Sequence, residues 1–373
     1  MGSVPAERIR VLIVDDSVVI RRLISDMLEK DPDIEVAGTA ANGRIALQKM
    51  TQVGADLVTL DIEMPDMNGI ECLKELRKTH PRLPIIMFST LAERGARATV
   101  EALTLGASDY VTKPAGLGDV GVAMQRVREQ LIPKIKSLCR ASHPLAASPD
   151  HGRLFTAASG LPPAPARRTA IDIVAIGVST GGPNALAAII PTIPGTMPVP
   201  IVLVQHMPPL FTKFLAERLN AQSELDVREA CGGEELLPGT VYIAPGDYHL
   251  VVERSGLRIV TALTQAPPEN WCRPSVDVLF GSVAQTYRST VLAVVLTGMG
   301  HDGLRGCEDI ARAGGSVFVQ DEATSVVWGM PGFVARAGLA ERVLPLADVA
   351  SEMMKRVTAG APSSRPVTAA AAK

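Results

Sequence analysis

Ser179 stands where the apolar run of AIGVSTGGPNAL, residues 175–186, meets a glycine-rich turn. Gly177, Ser179 and Gly181 satisfy G-x-S-x-G, the pattern in which a sharp strand-to-helix turn exposes a serine hydroxyl. Gly182-Pro183 would open the next helix, where proline suits the first turn and the backbone N–H groups favour negative charge. Taken alone, Ser179 reads equally well as a helix N-cap. A serine nucleophile needs a base, and the base needs an orienting group. The six histidines are His80, His143, His151, His206, His249 and His301. Of these, His206 closes the apolar run VPIVLVQHM and would share a sheet edge with Ser179. LTGMGHDG carries Asp302 past another such run. Singly, His206 reads as a strand cap and Asp302 as a helix N-cap; three strand ends together point to acyl transfer. The chain order Ser, His, Asp differs from the Ser, acid, His order of α/β-hydrolases and disfavours that fold.

A second constellation is acidic. Asp15 and Asp16 follow the first apolar run, Asp61 the third, and Lys113 the fifth, just before Pro114. In an open parallel sheet, functional groups gather at the carboxyl ends of strands. Three crowded carboxylates repel one another unless a hard divalent cation neutralises them, and Mg²⁺ suits such an oxygen cluster. One carboxylate can then attack phosphorus and become an aspartyl phosphate, with a lysine opposite to balance the phosphoryl charge.

These groups need elements to hold them. IRVLIVDD, IEVAGTA, DLVTLDI, PIIMFST and DYVTKP read as short β-branched strands. Between them run helical stretches such as SVVIRRLISDMLEK, whose Val18, Leu23, Met27 and Leu28 fall near one face. Five βα repeats predict a parallel sheet covered on both sides. A Pro/Ala/Ser-rich stretch without periodicity follows. Strand signals resume with IDIVAIGVS, VPIVLVQHM, TVYIAPG, STVLAVVLTGMG and GGSVFVQ, and SVDVLFGSVAQTYR reads as a helix. VYIAPGDYHLVVE reads as a hairpin with Gly246 in its turn.

Length and composition agree with two globular domains: 373 residues, 47% hydrophobic and 20% charged. A net charge of −2 and 3% aromatic residues argue against a nucleic-acid or membrane-binding surface. Cys72, Cys139, Cys231, Cys272 and Cys307 form no CxxC pair, so neither a zinc site nor a disulfide framework is expected, and reduced thiols fit a cytoplasmic protein. No signal peptide is read at the N-terminus, and no apolar run reaches the ~20 residues of a membrane helix.

On LIVDDS, DIEMPDMNG, FST and TKP, residues 8–130 resemble the two-component receiver family. The resemblance implies Asp61 as phosphoacceptor, Mg²⁺ held by Asp16 and Asp61 with the Glu63 backbone carbonyl beside Asp15, and a CheA-type histidine kinase as phosphodonor. It also implies Ser89 as the switch hydroxyl and Tyr110 as the switch aromatic, with Lys113 completing the site. On IGVSTGGP, VLVQHMP, APGDYHL, RPSVDVLF and LTGMGHDG, residues 171–335 resemble the catalytic domain of the chemotaxis protein-glutamate methylesterases, the CheB family.

That likeness implies that Ser179 attacks receptor glutamate methyl esters, His206 acts as base and Asp302 orients it. Met299 would supply an oxyanion N–H and Thr180 would line the site. The products would be methanol or, by glutamine deamidation, ammonia, with no cofactor for hydrolysis. Arg273, Ser275 and Asp277 would either shape the substrate cleft or form an ordinary loop and helix start. The implied partners are methyl-accepting receptors, met by peripheral association with membrane arrays from the cytoplasm.

The expected architecture is α/β: a flavodoxin-like five-stranded parallel receiver at 8–130, a linker at 131–169, a doubly wound, mostly parallel methylesterase domain at 170–358, and a disordered tail at 359–373. The unphosphorylated receiver is expected to pack over the Ser179 cleft. Competing readings are a phosphorylation-regulated serine esterase for another receptor or ester, and a scaffold that binds receptor tails. A receiver with a DNA-binding output would need a basic recognition helix, which the second unit lacks.

Overall fold

The computed structural model describes residues 8–113, 120–140 and 170–359. The first unit runs β1 (Ile9–Val14), α1 (Val18–Leu28), β2 (Ile34–Ala40), α2 (Gly43–Val53), β3 (Leu57–Asp61), α3 (Gly69–Thr79), β4 (Ile85–Ser89), α4 (Glu93–Thr104), β5 (Asp109–Thr112) and α5 (Val120–Arg140). Its sheet is parallel in the order β2-β1-β3-β4-β5. Every residue of β3 and β4 is buried, as a parallel sheet covered on both faces requires of its apolar runs. Helix starts follow local chemistry: Ser17 accepts from the Ile20 amide, and Asn68 forms a reciprocal capping box with Glu71. Strand order reverses between β1 and β3, so Asp15, Asp16 and Asp61 emerge together at the switch point.

Two expectations for this unit are corrected. Val18 is 68% exposed at the start of α1, and Ile24 packs inward with Met27 and Leu28. Residues 131–140, read as linker, continue α5, where Leu131, Ile132, Ile135 and Leu138 are buried in the receiver core. The rest of the expected linker and all of the tail beyond Ala359 lie outside the described residues.

The second unit continues with β6 (Ile173–Val178), α6 (Gly182–Ile189), β7 (Ile201–Gln205), α7 (Phe211–Gln222), β8 (Asp226–Glu229), β9 (Thr240–Ile243), β10 (His249–Ser255) and β11 (Arg258–Thr264). It ends with α8 (Val276–Tyr287), β12 (Val291–Val295), α9 (Leu304–Arg312), β13 (Ser316–Gln320), α10 (Met330–Arg336), β14 (Arg342–Leu344) and α11 (Leu346–Thr358). Seven strands form a parallel sheet in the order β14-β13-β12-β6-β7-β9-β8. The chain leaves central β6 towards β7 on one side and later returns to β12 on the other, so the switch point lies at the end of β6. The expected β9–β10 hairpin does not form. β9 belongs to the parallel sheet, and β10 pairs antiparallel with β11 instead, turning at Gly256, whose φ is +62°.

The units touch. α4 packs against α6 and α7. Tyr110 stacks on Phe211 at 5.0 Å between ring centroids, Arg97 lies 4.5 Å over the Phe214 ring and 3.7 Å from Glu217, and Asn184 Nδ2 donates to the Ala107 carbonyl at 3.0 Å. Farther along, the Ser137 hydroxyl of α5 donates to Met299 Sδ at 3.4 Å. Among the described residues no helix is long and apolar enough to cross a membrane.

Gly177, near the end of β6, lies against α8: a Cβ there would stand 2.4 Å from Val276 Cγ1. Gly177→Ala is therefore expected to cost about 1–3 kcal/mol by overpacking. Denaturant unfolding of the second unit should show that loss, and Val276→Ala in the same chain should recover part of it.

Candidate active site

The G-x-S-x-G segment folds as a tight turn out of the central strand. β6 ends at Val178, the Ser179 amide donates to the Thr297 carbonyl at 3.0 Å, and the Gly182 amide closes back on the Ser179 carbonyl at 2.8 Å. Gly181 takes φ +76°, a left-handed conformation that disfavours other residues. The N-cap position of α6 is Gly181 and no side chain caps the helix, so Ser179 is not the N-cap. It is half-buried, and its neighbour Thr180 is buried with its carbonyl bonded to Thr297 Oγ1 at 2.9 Å.

His206 leaves β7 beside this turn, its amide 3.3 Å from the Val178 carbonyl. Its Nε2 meets Asp302 Oδ2 at 2.8 Å. Asp302 in turn is held by α8. Its Oδ2 accepts from the Val276 amide at 2.7 Å, and its Oδ1 from the Asp277 amide at 3.1 Å, Ser275 Oγ at 2.8 Å, Asn270 Nδ2 at 2.9 Å and its neighbour Gly303's amide at 3.1 Å. A carboxylate from another loop thus caps the N-terminus of α8, where the helix dipole favours negative charge. Burial alone would raise the Asp302 pKa, but the His206 ring, the Val276 amide and Asn270 hold it below the usual carboxylate range. Burial also opposes charge on His206, yet the hydrogen bond to Asp302 and the Cys272 sulfur beside the ring carry its pKa above the ordinary histidine value. With Nε2 committed to Asp302, Nδ1 is the nitrogen left to receive a proton.

Ser179, Thr180, His206, Cys272, Arg273 and Met299 line one cleft of about 970 Å³. Asp109, Tyr110, Thr112, Arg126 and Lys134 of the first unit form its opposite wall. Of the two readings open for Arg273, Ser275 and Asp277, each finds a separate answer. Arg273 lines the cleft and pairs with Asp247 at 3.0 Å. Ser275 and Asp277 lie behind it; Ser275 bonds Asp302, and Asp277 accepts from Asn270 at 2.8 Å and the Gly306 amide at 2.8 Å. His249 is buried and takes the Ser275 amide on Nδ1, while His301 is exposed and edges onto Phe333. Asn270 and Cys272 were not singled out from the sequence. Both sit in the ENWCRPS stretch just before α8, and no local pattern distinguishes them.

In the first unit, Asp15, Asp16 and Asp61 each offer an oxygen within 4.8 Å of the others. Asp15 and Asp61 are buried and Asp16 is exposed, and Lys113 Nζ lies 2.8 Å from each of the two buried carboxylates. An all-oxygen cluster open on one side fits a hard divalent cation that keeps several waters. Burial pushes the Asp61 carboxyl up to about 6, with the Asp15 charge adding to it and Lys113 opposing. The Glu63 carboxylate is outside the cluster, 3.7 Å from Arg94; its amide faces Asp61 Oδ1 at 3.4 Å. A pocket of about 240 Å³ is lined by Asp16, Asp61, Glu63, Ser89 and Lys113. The Ser89 hydroxyl donates to the Gly95 carbonyl at 3.0 Å. Tyr110 is turned away from this pocket, onto Phe211 of the second unit.

Residues 174–353 match the family model described as CheB methylesterase, and residues 11–125 match the response regulator receiver domain. A protein-glutamate methylesterase/protein-glutamine glutaminase of a Nocardioides species is 56% identical over 366 residues, covering 97% of this chain and 99% of that protein. Its counterpart from Trichodesmium erythraeum is 50% identical, covering 94% and 99%. Among solved structures, the Thermotoga maritima CheB methylesterase catalytic domain is 46% identical and covers 50% of this chain and 99% of its own, with a TM-score of 0.49.

The His206–Asp302 contact makes a direct prediction. By NMR, the His206 ring should titrate above the ordinary histidine range. In Asp302→Asn its midpoint should fall by about one to three pH units, because the opposite charge is gone.

Proposed function

The chain belongs to the CheB methylesterase family, with a response regulator receiver domain ahead of the catalytic one, and from that premise we propose that Ser179, His206 and Asp302 hydrolyse glutamate methyl esters on chemoreceptors under control of phosphorylation at Asp61. The observation that carries the reading is that His206, in the cleft that Ser179 lines, has Nε2 fixed to a buried carboxylate, which leaves Nδ1 beside only the weak Cys272 thiol at 3.7 Å. His206 Nδ1 takes the Ser179 proton as Oγ adds to the ester carbonyl. The Met299 amide, without a hydrogen-bond partner among the described residues, is left for the developing oxyanion. The proton on Nδ1 then passes to departing methanol, and water resolves the acyl-enzyme by the same route. A glutamine side chain follows the same path with ammonia as leaving group. Asp302 keeps Nε2–H in place throughout and favours the imidazolium that forms.

In the receiver, Asp15, Asp16 and Asp61 would hold Mg²⁺, which when bound screens these carboxylates from an incoming phosphoryl group. Lys113 balances the phosphoryl charge, and Asp61 is the nucleophile, fed by a CheA-type histidine kinase. Ser89 leaves its Gly95 contact to reach the phosphoryl group, and Tyr110 then rearranges. Because Tyr110 stacks on Phe211, that rearrangement loosens α4 from α6 and α7 and opens the cleft to a receptor helix. The contacts being broken include apolar packing of α4 on α6 and α7 as well as the Tyr110–Phe211 stack, and only a difference in affinity between the two receiver states shifts that balance. The substrates are methyl-accepting receptors, approached peripherally at membrane arrays from the cytoplasm.

The test is initial-rate methanol release from methylated receptor membranes. Mg²⁺ with a small phosphodonor should raise the rate, and Asp61→Asn should hold it at the basal level; release that ignores the phosphodonor would sink the regulatory half, and no methanol at all would sink the substrate. Arg97→Ala removes an exposed ion pair and a cation–π contact worth about 0.5–1 kcal/mol together. It should lift the basal rate about two- to fivefold. The rate should also climb with pH across the raised His206 titration, since only neutral Nδ1 accepts a proton.

A further inference from the structure

Cys272 takes no part in the hydrolysis described above, yet its Sγ stands 3.7 Å from His206 Nδ1. That is the nitrogen not engaged by Asp302. His206, Cys272 and Asp302 each place a donor atom within 4.8 Å of the other two. In tetrahedral zinc sites the Zn–S bond is about 2.3 Å and the Zn–N bond about 2.0 Å, which sets sulfur and nitrogen about 3.5 Å apart across the metal. The observed gap is close to that spacing. A metal-bound histidine almost always donates its other ring N–H to a carboxylate or carbonyl. Here Asp302 already accepts it, and α8 and Asn270 already hold Asp302. Cys272 is half-buried at the cleft wall, whereas Cys72, Cys139 and Cys307 are buried in the cores.

We propose that His206 Nδ1 and Cys272 Sγ form a binding site for a soft divalent transition-metal ion, Zn²⁺ in the first instance, and that its occupation switches the hydrolase off. The thiol gives its proton to solvent and binds as thiolate. The imidazole binds neutral, keeping Nε2–H on Asp302, and no electron is transferred. The metal takes the lone pair that would otherwise accept the Ser179 proton. Only two protein ligands hold it, with water from the cleft completing the coordination, so the ion exchanges and a chelator removes it. Ligand softness separates this site from the acidic cluster of the receiver: thiolate and imidazole select Zn²⁺, and an all-carboxylate cluster selects Mg²⁺. The inhibitory effect rests on His206 being the base; the binding does not.

Two readouts on the full chain test this in a buffer already holding Mg²⁺. Titration with Co²⁺ should raise a thiolate-to-cobalt absorption band that Zn²⁺ displaces. Cys272→Ser should abolish the band, and Cys231→Ser, which alters the exposed cysteine, should leave it. Zn²⁺ should inhibit methanol release reversibly. Measured against its own metal-free rate, Cys272→Ser should need at least about tenfold more Zn²⁺ for half-inhibition. No band, or a band and an inhibition midpoint unchanged in Cys272→Ser, overturns the proposal. A band that depends on Cys272 without any loss of rate upholds the ligand pair and overturns both the switch and the role of His206 as base.

Discussion

The Asp302 carboxylate is the joint on which the second unit turns. A buried ionised carboxylate costs several kcal/mol unless its lone pairs are met by donors, and here the N-terminus of α8, Ser275, Asn270 and the His206 ring meet them. The same helix packs its Val276 side chain into the space that Gly177 leaves at the end of β6. One helix end therefore fixes both the carboxylate that orients His206 and the strand that presents Ser179. The residues come from the ends of β6, β7 and β12, which are adjacent in the sheet, so none has to be reached by a long loop.

Both units obey one rule of parallel sheets, that chemistry collects where the strand order reverses. They use it differently. The receiver gathers like charges and offsets them with Lys113, yet burial and the neighbouring Asp15 still leave Asp61 with a raised pKa. The second unit instead sets one buried carboxylate against one histidine ring, Asp302 Oδ2 lying 2.8 Å from His206 Nε2. Between the units, Tyr110 stacks on Phe211, the Arg97 and Asn184 side chains reach across, α5 touches Met299, and α4 packs on α6 and α7 within one buried apolar cluster that draws on both units. Tyr110, on β5, is therefore in direct contact with α7 of the second unit.

Much of this was legible in the chain. Buried parallel strands announce themselves as short β-branched runs, and the residues that follow them fall at one sheet edge by topology alone. That is why the pattern of apolar runs places Asp15, Asp61, Ser179, His206 and Asp302 at or just beyond strand ends, where the structure has them. What failed were features set by long-range packing. β9 and β10 look like a hairpin locally, but β9 gains more by pairing with β7 and β8 inside the sheet. Val18 fits a helical apolar stripe, yet the first turn of α1 projects beyond the core. α5 extends past residue 130 because its apolar face continues to find partners in the receiver. The holders of Asp302 were invisible for a related reason, as Asn270 and Ser275 precede it by 32 and 27 residues. The approach of Cys272 to His206 is likewise long-range, spanning 66 residues, where spacing rules do not look.

In the mechanism proposed above, Ser179, His206 and Asp302 act as one unit at the end of β6. Groups that act as a unit are strongly non-additive when removed. The decisive measurement is methanol release by Ser179→Ala, His206→Ala and the double variant, on one methylated receptor preparation. Each single change should remove nearly all turnover, by comparable factors, and the double change should remove no more. Wild-type turnover in Ser179→Ala, or losses that multiply in the double variant, would contradict that mechanism.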